Sequence, residues 1–392
     1  MQQGTFLFGS STSAHQVEGG NSNNDWWEWE KTRPGEFRSA SAADSWNRYA
    51  EDIALAKKLG HSAIRISVEW SRIETAEGRF NAVAIEHYRK MLREMHRCGL
   101  KTFVTLHHFT NPLWLAKQGA WESKKTPELF ARYAKHAAQE LGKYVDFWIT
   151  VNEPMVYASQ SYARGIWPPQ KKSALAMLNV IRNMARGHRM AYRVLHKANP
   201  RIPIGFAKHV VAYMPESKTK LTDRLGVALY DWFFNHMFFS LIFHMQDFVG
   251  VNFYFTRMLR VHLFPFSISD VSLDTPKTDL GWPIYPKGLT QALLHMKRYK
   301  KPIYITENGL ADEDDTRRAD FIRSHIRAIE AAQKQGCDVR GYLHWSLIDN
   351  FEWADGFTPR FGLVAVDYAT QKRTPRPSAY VYKAIIEQSK GV

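Results

Sequence analysis

The sequence has 392 residues, of which 45% are hydrophobic and 14% aromatic, and its formal net charge is +15. This length allows one large domain or two to three average ones, and the apolar fraction is sufficient for a buried core. The basic residues occur mostly singly or in pairs, which indicates a basic surface and predicts neither nucleic acid nor membrane as a partner.

Two cysteines exclude a disulfide framework, and residues 1–8 lack the basic and apolar regions of a signal peptide. Both observations predict a cytoplasmic protein.

In chain order, an apolar run at 5–10 is followed by a helical pattern at 42–58, a glycine and a second apolar run. The same pattern returns three times. The glycines and the apolar runs after them are Gly60 and 63–68, Gly99 and 102–106, Gly142 and 147–151, and Gly336 and 341–345. Each glycine is predicted in the left-handed conformation that ends a helix, with a buried strand a few residues later.

Three further apolar runs, at 202–206, 248–253 and 302–307, bring the number of predicted strands to eight. Continuous apolar strands that alternate with helices indicate a parallel sheet, and eight of them predict a closed (β/α)8 barrel, or TIM barrel, in the α/β class. Without an obvious linker, residues 1–392 are predicted to form a single domain. The alternative is a doubly wound open sheet, but no glycine-rich phosphate loop follows the first strand.

Two other segments receive specific predictions. Residues 229–244 are predicted as a buried barrel helix, because they are too short and too interrupted to span a bilayer. Residues 255–281, rich in Pro, Ser and Asp, are predicted as a loop over the mouth of the barrel, with Phe264 and Phe266 packed down.

In a barrel of this kind the C-terminal ends of the strands carry the chemistry. The side chains expected there are Gln16, Glu69, His107, His108, Asn152, Glu153, Asn252, Tyr254, Glu307, Trp345, Glu352 and Trp353.

Two carboxylates, Glu153 and Glu307, follow the fourth and seventh strands. Glycoside hydrolysis requires one carboxyl group to protonate the leaving oxygen and another to attack or to activate water. Amides, an imidazole and indole rings around such a pair suit a polyhydroxylated ring.

A metal-dependent hydrolase is the competing class, with His107 and His108 as ligands. Adjacent residues on a strand point to opposite faces and do not readily ligate one ion together. We therefore predict no metal and no organic cofactor in the catalytic site, and we interpret His107 as a core residue.

Five motifs resemble the signatures of glycoside hydrolase family 1, the retaining β-glycosidases, and occur in the order typical of that family. They are residues 15–19 (His-Gln-Val-Glu-Gly), 150–154 (Thr-Val-Asn-Glu-Pro), 306–309 (Thr-Glu-Asn-Gly), 345–353 (Trp-Ser-Leu-Ile-Asp-Asn-Phe-Glu-Trp) and 360–363 (Arg-Phe-Gly-Leu). The resemblance extends from Phe8 to about Tyr382, and the family's fold agrees with the predicted barrel.

The resemblance implies that Glu153 is the general acid/base and Glu307 the nucleophile. It assigns the substrate-binding positions to Gln16, His108, Asn152, Tyr254, Trp345, Glu352, Trp353 and Phe361. Arg65 and Tyr254 correspond to groups that hydrogen-bond the nucleophile, and Asn252 corresponds to a position near the acid/base.

The expected reaction is hydrolysis of terminal β-D-glucosides, with β-galactosides or β-fucosides as secondary substrates. It would proceed by double displacement, with the two carboxyl groups about 5–5.5 Å apart. The expected partners are small β-glycosides or oligosaccharides. A sugar-binding protein without turnover and a transglycosylase remain open as alternatives.

The chain is shorter than most family members, with shortening predicted around 236–247 and 310–318, so the aglycone subsite is the part least defined by the resemblance. Some members act on 6-phosphoglycosides. Here Glu352 and Asp355 would repel a phosphate, which favours an unphosphorylated sugar.

Overall fold

The barrel is closed and entirely parallel in a computed structural model that describes residues 6–263 and 266–390. Its strands are β1 (Leu7–Ser11), β2 (Ala63–Ser67), β3 (Lys101–His107), β4 (Phe147–Asn152), β5 (Ile204–His209), β6 (Val249–Asn252), β7 (Ile303–Asn308) and β8 (Val339–Trp345). Each strand pairs with the next in the chain, and β1 also pairs with β8. The predicted (β/α)8 barrel is therefore confirmed, and the doubly wound sheet is excluded.

One long helix follows each strand and covers the outside of the barrel. These helices are α1 (Ser45–Lys58), α2 (Ala82–Arg97), α3 (Thr126–Leu141), α4 (Ala174–Ala198), α5 (Leu221–Asp231), α6 (Pro286–Met296), α7 (Arg318–Lys334) and α8 (Pro377–Lys390). Shorter helical segments include Ala14–Val17, Asp25–Glu30, Trp70–Ile73, Leu113–Lys117, Pro154–Ala158, Ser159–Ala163, Trp232–His236 and Met237–Leu241. None of the helices in these two described ranges is long and apolar enough to cross a membrane.

The inside of the barrel is packed with side chains, so it is a core and not a channel. A buried cluster there consists of Ala63, Phe103, Ile149, Ala207, Phe248, Tyr304 and Leu343. The rings of Phe103 and Phe147 stack with centroids 4.1 Å apart. Residues of the same strands that lie further toward the C-terminal ends, such as Arg65 and Thr105, are polar. The strands thus place an apolar layer beneath a polar one.

Three of the four helix-ending glycines have the predicted left-handed conformation: Gly60, Gly99 and Gly336 have φ values of 82°, 71° and 80°. The prediction for Gly142 is wrong, because its φ is −55°. There the chain continues from α3 into a 3₁₀ turn, Gly142–Tyr144, and needs no left-handed residue to leave the helix.

The structure also corrects the prediction of a loop at 255–281. Thr256–Leu263 and Phe266–Val271 form an antiparallel hairpin, and the first of these strands pairs in parallel with Ala212–Pro215. Leu259 and Val261 are buried and alternate with polar residues, which is the period of a strand that covers a core on one face. Phe264 lies outside the described residues, as does the side chain of Phe266.

The segment 229–244 is only partly the buried helix that was predicted. Phe238 and Phe239 are buried, but Leu229 is 64% exposed and Trp232 is 48% exposed. Helix α5 contacts the hairpin and packs Val227 against it. The apolar residues on the opposite face of α5 therefore point away from the protein core.

A close approach of two strands requires a glycine directly after β7. A Cβ built on Gly309 would lie 1.7 Å from the carbonyl oxygen of Trp345. We predict that Gly309→Ala lowers the free energy of unfolding by about 1–3 kcal/mol or more, because the backbone must move to relieve the collision. Chemical denaturation measures this change.

The matched control is Gly142→Ala, where a Cβ has open space and φ already suits alanine. Its unfolding free energy should stay within about 1 kcal/mol of the original. Equal stability of the two variants would contradict the proposed constraint.

Candidate active site

A cavity of about 430 Å³ opens where the barrel strands end. Of the twelve residues to which the family resemblance assigns a role, ten line it: Gln16, His108, Asn152, Glu153, Tyr254, Glu307, Trp345, Glu352, Trp353 and Phe361. The other two, Arg65 and Asn252, are fully buried and hydrogen-bond residues of the lining. The structure therefore brings the whole predicted set together.

The two carboxylates owe their positions to different local structures. Glu307 lies within β7, at an irregularity in the pairing with β6 that places it opposite Asn252. Glu153 follows β4 in the left-handed region, with φ of 43°, and Pro154 then begins a short helix. This conformation is uncommon for a residue other than glycine and occurs mainly where the surrounding structure enforces it. Both side chains are largely buried, with Glu153 8% and Glu307 3% exposed.

Both oxygens of Glu307 accept hydrogen bonds. Arg65 Nη1 donates to Oε1, and the Tyr254 hydroxyl donates to Oε2 at 2.6 Å. Arg65 is itself fixed, since its Nε donates to Thr105 Oγ1 at 3.1 Å and its Nη2 to Asn152 Oδ1 at 2.6 Å. The contacts expected of Arg65 and Tyr254 are present, and they stabilise the ionised form of the carboxylate.

Glu153 is held by an amide. Asn252 Nδ2 donates to Glu153 Oε1 at 2.8 Å and approaches Asn152 Oδ1 at 3.1 Å. The other end of the Asn252 amide accepts from Thr306 Oγ1 at 2.6 Å, which fixes its orientation. His209 contributes a ring nitrogen 3.8 Å from Glu153 Oε1.

The surroundings of the two carboxyl groups differ in charge. Burial raises the pKa of Glu307, whereas Arg65 and the Tyr254 hydroxyl oppose that rise. Burial also raises the pKa of Glu153, and the negative charge of Glu307 raises it further. The pKa of Glu153 reaches about 8, although the hydrogen bond from Asn252 lowers it. The surroundings therefore favour the protonated form at Glu153, whereas Arg65 and Tyr254 favour the ionised form at Glu307.

Polar groups and aromatic rings line the rest of the cavity. Gln16 Nε2 donates to Glu352 Oε2 at 3.1 Å, and the amide of Asn152 is 3.1 Å from His108 Nε2. Burial, followed by the charges of Asp355 and Glu307, raises the pKa of Glu352 well above its ordinary value. The indole rings of Trp345 and Trp353 lie nearly parallel to the His108 ring, which leaves flat faces beside the polar groups.

His107 and His108 point in different directions, as their adjacent positions predicted. His107 lies outside the cavity, where its Nε2 accepts from Trp121 Nε1 at 3.1 Å and its ring packs against Phe130. It is a core residue.

The structure adds lining residues that the sequence did not identify, among them Gln160, Arg164, Trp167, His209 and Trp282. A signal existed for His209, because extending the predicted strand at 202–206 by three residues reaches it. Trp282 comes directly after the segment that was interpreted as a loop, so its position depended on an incorrect prediction.

Comparison with known proteins is consistent with this geometry. The profile of glycosyl hydrolase family 1 matches residues 2–253 and 233–391. The chain belongs to glycosyl hydrolase family 1. It is a β-glycosidase of that family and acts on O-glycosyl bonds.

Three similar proteins illustrate the relationship. β-Glucosidase A of Thermotoga maritima is 31% identical over 435 aligned residues, covering 98% of this chain and 97% of the relative. A 6-phospho-β-galactosidase of Clostridium acetobutylicum is 30% identical, covering 98% of this chain and 97% of the relative. The structure of a β-glycosidase from Pyrococcus horikoshii has a TM-score of 0.91 and 38% identity, covering 98% and 94% of the two chains. The alignment with β-glucosidase A has 435 positions, more than the 392 residues of this chain. That relative therefore contains residues that this family 1 chain lacks.

The contact of Tyr254 with Glu307 leads to a prediction about pH dependence. Tyr254→Phe removes a hydrogen bond to the ionised carboxylate, so the pKa of Glu307 should rise and the acid limb of the pH–rate profile should move to higher pH. The value of kcat/KM for an aryl β-glycoside should fall about 10- to 100-fold, the effect of a hydrogen bond to a charged group.

Tyr49→Phe serves as the control, because Tyr49 lies in α1 and does not line this cavity. Its profile should match that of the unmodified enzyme. An acid limb that stays in place in Tyr254→Phe would argue against the role of this contact.

Proposed function

We propose that the chain is a retaining β-glycosidase that hydrolyses terminal non-reducing β-D-glucosyl residues, with β-galactosides and β-fucosides as secondary substrates. The observation that carries this proposal is the contrast between the two carboxyl groups of one cavity. Arg65 and Tyr254 hold Glu307 in its ionised form, while the pKa of Glu153 is raised to about 8. One group is thereby suited to attack and the other to donate a proton.

In the first half-reaction, Glu153 donates its proton to the glycosidic oxygen while Glu307 attacks the anomeric carbon. The bond between that carbon and the oxygen breaks, the aglycone leaves as an alcohol, and an ester forms between the sugar and Glu307. The 2-hydroxyl of the sugar would contact Asn152, which Arg65 orients.

In the second half-reaction, the Glu153 carboxylate accepts a proton from water as the water oxygen attacks the anomeric carbon. The ester bond breaks and Glu307 returns as a carboxylate. The change of role at Glu153 has a physical cause. Because the charge of Glu307 raises the pKa of Glu153, neutralisation of Glu307 in the ester lowers that pKa and makes Glu153 a base.

Retention of configuration requires that no water fit between the two carboxyl groups before the sugar is attacked. We expect them to lie about 5–5.5 Å apart in the substrate complex, as in other enzymes that use a glycosyl-enzyme intermediate.

Glucose as the preferred sugar is supported by the names of relatives such as β-glucosidase A of Thermotoga maritima. An unphosphorylated sugar is supported by Glu352 and Asp355, both of which line the cavity. A relative of similar identity is a 6-phospho-β-galactosidase, so this preference requires a direct test.

We also infer that residues 1–392 act as one catalytic domain in the cytoplasm. The free thiols of Cys98 and Cys337 are compatible with a reducing compartment.

The role of Glu307 is tested with p-nitrophenyl β-glucoside. Glu307→Ala should lose at least about 10⁴-fold in kcat, since it removes the nucleophile of a covalent mechanism. Azide should partly restore release of nitrophenol by occupying the vacated space, and the product should be the α-glucosyl azide, because one displacement inverts the anomeric centre.

Glu313→Ala is the control, since this exposed carboxylate lies six residues further along the chain and does not line the cavity. It should retain full activity. Binding of glycosides without turnover in the unmodified protein would favour a sugar-binding protein instead, and formation of β-glucosyl azide by Glu307→Ala would exclude the proposed nucleophile.

The second test concerns phosphate. The unmodified enzyme should hydrolyse p-nitrophenyl β-glucoside at least about 100-fold more efficiently than its 6-phosphate. The phosphate dianion would enter a site where burial and the charges of Asp355 and Glu307 already raise the pKa of Glu352, so further negative charge there is unfavourable. Glu352→Gln should narrow this ratio by weakening binding of the neutral sugar and relieving the repulsion of the phosphate. A 6-phosphate that is the better substrate of the unmodified enzyme would refute the preference.

A further inference from the structure

Three potential metal ligands meet on the outside of the barrel, away from the catalytic cavity. Asp231 is the last residue of α5, His236 ends the helical segment Trp232–His236, and His295 lies in the last turn of α6. One ligand atom from each residue lies within 4.8 Å of the others. None of the three lines the cavity that contains Glu153 and Glu307.

The distances suit a small tetrahedral ion. His236 Nε2 is 3.2 Å from Asp231 Oδ2, and His295 Nδ1 is 3.9 Å from Asp231 Oδ1. Zinc bonds of about 2.0–2.1 Å in tetrahedral geometry place neighbouring ligand atoms roughly 3.3 Å apart. The first pair already has this spacing. The second pair is slightly wider than this spacing, and the 46% exposed His295 side chain is not enclosed by packing.

The imidazole of His236 is oriented toward this point by its surroundings. It is buried, with 3% of its surface exposed, and its Nδ1 is 2.7 Å from the Tyr299 hydroxyl. Its Nε2 has no hydrogen-bond partner among residues 6–263 and 266–390, although it faces the Asp231 carboxylate. The Nε2 atom and Asp231 Oδ2 are thus 3.2 Å apart without a well-aligned hydrogen bond between them, and an ion bound to both would satisfy both atoms.

The carboxylate is supported in the same way. Asn235 Nδ2 donates to Asp231 Oδ1 at 2.7 Å. Outer hydrogen bonds to both a histidine and a carboxylate are typical of metal sites, where they fix the orientation of the ligands.

We propose that Asp231, His236 and His295 bind one zinc ion, with water in the fourth position. Two imidazoles and one carboxylate favour zinc over magnesium or calcium, which prefer oxygen ligands. The ion would join the end of α5 to α6, two helices on the outside of the barrel. The ion would take no direct part in glycoside hydrolysis, since the catalytic carboxylates lie elsewhere.

The experiment uses the full chain without an affinity tag, stripped with EDTA, dialysed at pH 7.5 and titrated with zinc chloride by calorimetry. The unmodified protein should bind one equivalent. His295→Ala should weaken that binding at least about tenfold, because it removes a ligand while leaving the buried part of the site in place. Asp231→Asn, which keeps the size of the side chain, should weaken it as well.

His96→Ala is the matched control. His96 is an exposed histidine whose Nε2 is 3.5 Å from Asp146 Oδ2, and neither residue belongs to the cluster. Its zinc binding should equal that of the unmodified protein.

Thermal unfolding gives a second measurement. Zinc should raise Tm in the unmodified protein and in His96→Ala, but much less in His295→Ala, because a ligand stabilises only the state that binds it. Absence of stoichiometric zinc binding would overturn the proposal, leaving an ordinary histidine–aspartate ion pair. Equal affinity in His295→Ala and the unmodified protein would do the same.

Discussion

The contact between Arg65 and Glu307 is the interaction on which the active site depends. Both side chains are buried in the barrel, where an unpaired charge would be strongly destabilising. The guanidinium offsets this cost by also donating to Thr105 and Asn152, and Tyr254 satisfies the second oxygen of Glu307. Thr105, Asn152, Tyr254 and Glu307 lie on four different strands or just after them. The ion pair can therefore form only when the barrel closes, and once formed it leaves Glu307 with one orientation.

The same network reaches the second carboxylate. Arg65 orients Asn152, the Asn252 amide contacts both Asn152 and Glu153, and Thr306 fixes that amide from the other side. A buried polar network whose members are all satisfied is rigid, and groups held rigidly need little reorganisation when charge moves during a reaction. The two carboxyl groups are thus parts of one arrangement, although they lie 154 positions apart in the chain.

The layers of the barrel follow from this arrangement. Apolar residues such as Phe103 and Tyr304 fill the barrel beneath the network and exclude water from that side. The indoles of Trp345 and Trp353 lie on the other side and line the cavity. The strands therefore change from apolar to polar along their length. Outside the barrel, the connections that follow β5 and β6 differ most from what was expected, and they contain both the exposed face of α5 and the cluster around Asp231.

Much of this was determined by the sequence itself. Alternating apolar runs and helix-ending glycines encode the eight strands and the helices between them, because backbone preferences and burial act over a few residues. The resemblance to the family identified ten of the residues that line the cavity, most of them at a strand end or shortly after one. Tertiary structure alone decided the pairing of Thr256–Leu263 with Ala212–Pro215, the place of His209 beside Glu153, and the meeting of Asp231 and His236 with His295. These depend on contacts between residues far apart in the chain, and such contacts exist only after strand pairing and helix packing have closed the barrel.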